Sequence, residues 1–199
     1  MKPEQDQKAA QAAQSGAQWR AIDLYEWARR EQTFESSVAL GALSRVAEML
    51  PTDAPADARQ RSVHFTAQAG TARDATGVRP MLALRIQGET WLQCQVCLSG
   101  FAFPIDIEAH YRIVASEEDA DAIPLDDDGP DPIVGAHEFD LLDLIDEEIV
   151  LALPMVPQHE VCPEQAAGQA DAPEEAPAKP NPFAALAGLV GGDGKKSRH

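Results

Sequence analysis

The sequence Phe103-Pro-Ile-Asp-Ile-Glu-Ala-His-Tyr-Arg-Ile-Val114 gives the clearest indication of the fold of this 199-residue chain. Apolar and polar side chains alternate along it. The apolar positions are Ile105, Ile107, Ala109, Tyr111 and Ile113, and the polar positions are Asp106, Glu108, His110 and Arg112. A period of two is typical of a β-strand that buries one face. The stretch therefore predicts a strand with one face on the core and one in solvent.

Three shorter stretches upstream also have strand character. Residues 63–69 place Val63, Phe65, Ala67 and Ala69 on one face, and residues 81–86 and 90–94 follow, separated by a short turn expected at Gly88. Four successive strands with short connections favour an antiparallel sheet or a partial barrel, because parallel strands need long crossover connections.

Helical segments flank these strands. The first large apolar side chains lie between Trp19 and Trp27, and residues 43–50 have apolar side chains at helical spacing up to Pro51. The clearest helix begins after Asp140, which can cap it, and ends before Pro154. Leu141, Ile145, Ile149 and Ala152 form its expected apolar face, and Asp143, Asp146, Glu147 and Glu148 face elsewhere.

Together these elements predict an α+β fold. An N-terminal helical segment and one acidic amphipathic helix pack on an antiparallel sheet or partial barrel. Residues 19–162 form the expected domain, after a disordered leader over residues 1–18. Residues 163–180 are expected to form a flexible linker rich in acidic residues, proline and alanine, and residues 181–199 a short tail.

The net charge of −17 is concentrated in one block. Residues 113–178 contain 19 acidic side chains and no Lys or Arg, whereas residues 1–112 are nearly balanced and residues 179–199 carry a net charge of +3. Affinity for nucleic acid comes mainly from Lys and Arg. The block therefore argues against direct wrapping of RNA or DNA. Within it, residues 116–132 contain three prolines and no periodicity, which indicates a loop.

Two pairs of soft metal ligands stand far apart in the sequence. Cys94-Gln-Val-Cys97 ends a predicted strand, and His159-Glu-Val-Cys162 follows the acidic helix. Together they would form a Cys3His site for a structural zinc ion. The alternative is that the cysteines are ordinary buried thiols and His159 is a surface residue. A thioredoxin-like role is disfavoured, because a strand rather than a helix is expected after Cys94.

The remaining patterns exclude several classes of protein. The chain lacks a Gly-x-Ser-x-Gly motif and a glycine-rich phosphate loop. Three cysteines are too few for a disulfide framework, and the sequence has neither an apolar signal segment nor a membrane-length apolar run. A cytoplasmic protein is expected. The apolar tail that begins Asn181-Pro182-Phe183 either folds back on the domain or docks on a partner.

These motifs, taken in order, resemble the bacterial YceD-like family. The resemblance rests on Cys94-Gln-Val-Cys97 with the strand after it, the helix of residues 140–154, the Pro157-x-His159 exit and the closing Asn181-Pro-Phe-Ala-Ala-Leu. Members of that family are named for accumulation of the large-subunit ribosomal RNA. They often carry a second cysteine pair or a His/Cys equivalent after the helix, and His159 and Cys162 match that position.

The resemblance implies a non-enzymatic factor in synthesis, processing or stability of the large-subunit (23S) rRNA. Because the acidic block repels phosphate, we expect it to bind a basic ribosomal protein or a ribosome assembly factor, with only indirect association with rRNA. We expect the contacts at Asp140, Asp143, Asp146, Glu147 and Glu148 and at the tail motif, and no membrane or DNA partner. The alternatives are a zinc- or thiol-dependent enzyme centred on Cys94 and Cys97, and an acidic adaptor unrelated to ribosomes.

Overall fold

The computed structural model describes residues 16–74, 77–124 and 126–163. Residues 1–160 form one compact unit, and residues 161–199 form a second, described only at residues 161–163. Most of the expected leader and linker, and the whole of the tail with Asn181, Pro182 and Phe183, lie outside the described residues. The domain boundaries therefore stay predictions.

Five strands and four α-helices make up the described fold. The strands are β1 (Thr33–Ala39), β2 (Ser62–Asp74), β3 (Gly77–Gln93), β4 (Gly100–Val114) and β5 (Asp131–Val134). The helices are α1 (Leu24–Arg29), α2 (Ser44–Met49), α3 (Glu117–Asp121) and α4 (Leu141–Ala152), with single 3-10 turns at Leu40–Ala42 and Ala58–Gln60. The strands form one open sheet in chain order, which confirms the α+β fold.

The sheet is mixed rather than purely antiparallel. Strands β1 to β4 pair antiparallel, whereas β5 pairs parallel to β4. The long connection through α3 makes this possible, because a parallel neighbour needs a crossover rather than a hairpin. The expected loop over residues 116–132 is therefore wrong in two places, at α3 and at the start of β5.

The turn expected at Gly88 is also wrong, since β3 continues through it without a break. Gly88 pairs with Ile105 of β4. A Cβ atom at Gly88 would lie 2.8 Å from Cγ1 of Val63 on β2. The glycine is therefore needed for the close approach of two strands, not for a change of direction.

The core lies on one face of the sheet and follows the predicted alternation. In β2 the buried residues are Val63, Phe65, Ala67 and Ala69. An aromatic cluster closes the N-terminal end of this core: the Trp19 ring makes edge contacts with Trp27, Phe34 and Phe65 at centroid distances of 5.9, 5.6 and 5.5 Å. Such edge-to-face pairs add directional stabilisation to burial.

Helix α4 begins as the sequence predicts, because the Asp140 side chain accepts a hydrogen bond from Asp143 N. Its buried face matches the predicted one at Leu141, Ile145 and Ile149 and differs from it elsewhere. The buried residues are Leu141, Leu142, Ile145, Asp146 and Ile149, whereas Ala152 is exposed. The last turn of the helix therefore extends beyond the core.

Asp146 is buried and not, as predicted, on the outward face. Its carboxylate accepts hydrogen bonds from Arg45 N at 2.8 Å, Val46 N at 3.0 Å and Ser44 Oγ at 3.2 Å. These groups lie at the start of α2, whose first N–H groups have no partner within their own helix. A carboxylate from α4 thus caps α2 and fixes the two helices to each other.

Replacing Asp146 with alanine should lower the free energy of unfolding by about 3 kcal/mol, since the N–H groups of α2 lose a charged acceptor. Urea unfolding followed by tryptophan fluorescence measures the change. The control is Glu147→Ala on the same helix, where the side chain is exposed and a change below about 0.5 kcal/mol is expected. Equal unfolding midpoints for the two variants would contradict the cap.

Candidate metal centre

The Cys94–Cys97 motif lies in the loop between β3 and β4. The two strands last pair at Gln93 and Gly100, so residues 94–99 must reverse the chain. Cys94 N donates to Ser99 O at 3.0 Å, and Leu98 N donates to Cys94 O at 2.9 Å. Leu98 has a φ of 61°, which turns the chain back toward β4. We call residues 94–99 the knuckle.

The second half of the motif reaches the knuckle from the end of α4. Gln95 N donates to Pro157 O at 2.9 Å, which joins the knuckle to the segment after the helix. The rings of Phe101 and His159 pack together with centroids 4.8 Å apart. Both contacts position His159 beside the thiol groups.

The four predicted ligands lie together. The candidate ligand atoms of Cys94, Cys97, His159 and Cys162 are all within 4.8 Å of one another, and Cys97 Sγ is 3.4 Å from His159 Nδ1. Tetrahedral zinc with sulphur and nitrogen ligands places such atoms about 3.5–3.8 Å apart. Cys94 and Cys162 are buried, and Cys97 and His159 are half-buried. The cluster could therefore hold a metal ion.

The surroundings of Cys94 favour the thiolate that metal binding requires. Burial of Cys94 opposes ionisation, but backbone N–H groups of Cys97, His159 and Val96, together with the His159 side chain, hydrogen-bond to the sulphur. The net effect lowers the pKa of Cys94 to about 5. One of these bonds, from Val96 N, is 3.4 Å long. A thiolate is a metal ligand as well as a nucleophile, so this shift alone does not distinguish the two roles.

Two supporting residues escape sequence reasoning. Ser99 Oγ lies 3.0 Å from Cys97 Sγ, and Asp53 Oδ2 accepts a hydrogen bond of 2.7 Å from Gly100 N. A Cβ atom at Gly100 would lie 2.7 Å from Asp53 Oδ1, so a larger residue there would displace the Asp53 carboxylate. Ser99 could have been found as a polar neighbour of the cysteine pair. Asp53 has no such signal, because it lies in a loop more than forty residues away.

The acidic residues of α4 do not join the cluster. Asp140 pairs with Arg20 at 2.9 Å and Asp143 with Arg45 at 2.8 Å, while Glu147 is exposed. Glu148 is half-buried. Within the residues that the structure describes, no helix is long and apolar enough to cross a membrane.

Comparison with known proteins adds the family. The model of the family "Large ribosomal RNA subunit accumulation protein YceD" matches residues 82–190, which include the knuckle and α4. A curated protein of that name from Haemophilus influenzae is 37% identical over 111 residues, which are 53% of this chain and 62% of the relative. The chain thus spans less than two thirds of that relative's length. No solved structure gives a significant match. Because the family model covers more than half of the chain, the chain belongs to the YceD family.

Proposed function

We propose that this protein supports accumulation of the large-subunit rRNA in the cytoplasm without catalysing a reaction, by binding a basic ribosomal protein or assembly factor. The family and the name of the curated relative support the first part. The observation that carries the second is the block of residues 113–178, with 19 acidic and no basic side chains. A surface of one sign attracts partners of the opposite sign and raises their association rate.

The structure indicates which acidic side chains are free to face a partner. Asp146 is buried. Three more acids form ion pairs within the chain: Asp127 with Arg112, Asp140 with Arg20 and Asp143 with Arg45. The other acids of α3 and of the loop after it are exposed. They are Glu117, Glu118, Asp119, Asp121, Asp126 and Asp128. We therefore place the partner contact at α3 and its loop, together with the exposed Glu147 of α4.

Direct RNA binding has less support. Four of the arginines that could contact phosphate lie next to carboxylates, which reduce the positive potential that phosphate would need. The pairs are Arg29 and Arg30 with Glu26, Arg61 with Asp57 and Glu89, and Arg85 with Asp106 and Glu108. This balance favours an association with rRNA through a protein.

For the metal centre we propose a structural zinc ion held by Cys94, Cys97, His159 and Cys162. Four protein ligands complete a tetrahedral shell and leave no position for substrate, as in structural rather than catalytic zinc sites. The ion would join the β3–β4 hairpin to the segment after α4. This role agrees with a protein that binds rather than catalyses.

We expect the purified protein to contain one zinc ion per chain. His159→Ala should lower zinc affinity at least about tenfold and lower the unfolding temperature, because one of four ligands is lost. The control is His110→Ala, an exposed histidine outside the cluster whose contact with Glu108 is 3.9 Å long, which should leave both quantities unchanged. Metal analysis and thermal unfolding measure the outcomes. Unchanged zinc affinity of His159→Ala in competition with a chelator, or an ion with an exchangeable water ligand, would contradict the structural role.

The acidic surface can be tested in a strain that lacks the gene. A variant with amides at Glu117, Glu118, Asp121, Asp126 and Asp128 should restore the 23S to 16S rRNA ratio less well than the unchanged protein, since it attracts a basic partner more weakly. The control variant carries amides at three exposed acids of the sheet, Glu35, Asp106 and Glu108, and should restore the ratio fully.

The rRNA measurement separates two failures. A normal 23S level in the deletion strain would overturn the role in rRNA accumulation. A reduced level that the α3 variant restores completely would overturn only the acidic contact surface.

A further inference from the structure

Large apolar side chains are exposed around the metal centre. Val96 and Leu98 of the knuckle are 54% and 64% exposed, and Met155 and Val156, after α4, are 100% and 63% exposed. We call these four residues the knuckle rim. Among the described residues, the other large apolar side chains with comparable exposure are Met49, Val78, Leu151 and Val161. Concentration of exposed apolar groups at one place is typical of an interaction site.

The chain holds the two halves of the rim side by side. Gln95 precedes Val96, and Pro157 follows Val156. The hydrogen bond from Gln95 N to Pro157 O is 2.9 Å long. The contact between Cys97 Sγ and His159 Nδ1, 3.4 Å long, joins the same two segments a second time. The rim therefore lies on two segments that are joined by two contacts, and not on two independent loops.

Leu98 is unusual in both conformation and exposure. Its φ of 61° is unfavourable for a side chain with a Cβ atom, and a glycine or asparagine would adopt it more easily. The leucine is 64% exposed, so burial within the described fold does not compensate for this conformation. A leucine presented outward on a reversed backbone is well suited to insert into a partner.

We propose that the knuckle rim docks an apolar segment of a basic protein, one in which Lys and Arg flank the apolar side chains. The inference rests on the proposed function and adds to it a second contact beside the acidic surface. The charge near the rim supports this partner: Glu160, next to the candidate ligand His159, is exposed, and residues 113–178 contain no Lys or Arg. Single-stranded RNA is disfavoured, because unpaired bases stack on aromatic rings or guanidinium groups and the rim is aliphatic.

The composition of the rim agrees with a protein partner. Met155 has an unbranched, polarizable side chain that adapts to the shape of an apolar partner. Glu160 and the other exposed acids of the block would attract flanking Lys and Arg side chains and speed the encounter, while the rim would slow dissociation. An apolar-basic segment uses both features, whereas an apolar segment without Lys or Arg would use only one.

The test uses the full-length protein in its purified metal state and two labelled synthetic peptides of equal length and charge. One peptide combines Leu with Lys, and the other replaces each Leu with Ser. The unchanged protein should bind the Leu/Lys peptide at least tenfold more tightly. The double variant Leu98→Ser with Met155→Ser should lose this preference, and the control Met49→Ser with Val78→Ser, at exposed apolar positions elsewhere, should keep it.

Fluorescence anisotropy gives the affinities, and metal content with the unfolding midpoint shows that each variant is folded. Equal binding of the two peptides, or an equal loss in the control variant, would overturn the proposal. Three other results would also overturn it, because each would show a different occupant of the rim. A tenfold gain in peptide affinity on deletion of residues 181–199 would indicate the chain's own tail, and a dimer that only the rim variant abolishes would indicate a second copy. Displacement of the peptide by a single-stranded RNA oligonucleotide would indicate RNA. Reduced 23S rRNA in the deletion strain together with absent peptide preference would overturn the rim alone and leave the proposed function standing.

Discussion

The antiparallel pairing of β3 with β4 is the constraint on which both the core and the candidate metal centre depend. The pairing runs without interruption from Met81 opposite Arg112 to Gln93 opposite Gly100. A shift of one residue would turn every buried side chain of a strand toward solvent, so the hydrophobic pattern fixes the register. The same register fixes where the pairing ends. The knuckle is therefore positioned by this pairing, which places Cys94 and Cys97 in one short connection.

The other half of the cluster depends on α4. Its buried residues Ile145 and Ile149 pack on the core, and Asp146 fixes the helix to the start of α2. The chain then leaves the helix near Pro154 and reaches the knuckle at Pro157. Cys97 and His159 are 62 residues apart in sequence. A bound ion that joined them would close a long loop, so it would restrict the unfolded chain more than a local site would.

Elements whose apolar pattern repeats over many residues can be predicted from the sequence. Strands β2 and β4 and helix α4 show clear periods, and Asp140 stands at the expected cap position of α4. Short elements give no such signal: α3 has five residues with none buried, and β5 has four. The roles of Gly88 and Asp146 depend on contacts with β2 and α2, so the local sequence pattern does not reveal them. The candidate metal ligands are predictable from residue type and spacing, and Ser99 from its place beside the cysteine pair, whereas Asp53 is visible only in three dimensions.

The fold also divides the acidic block into two parts with different physical roles. The carboxylates of α4 mostly act inside the protein, since Asp140 and Asp143 pair with arginines from the N-terminal half and Asp146 caps α2. No residue of α3 is buried, and its carboxylates are exposed to solvent. The acids of α4 thus serve stability, whereas the proposed function assigns recognition to the acids of α3. In the proposed complex, α3 and its loop attract a basic protein over a distance, and the aliphatic knuckle rim provides the short-range contact, so affinity would require both a positive charge and an apolar surface in the same partner.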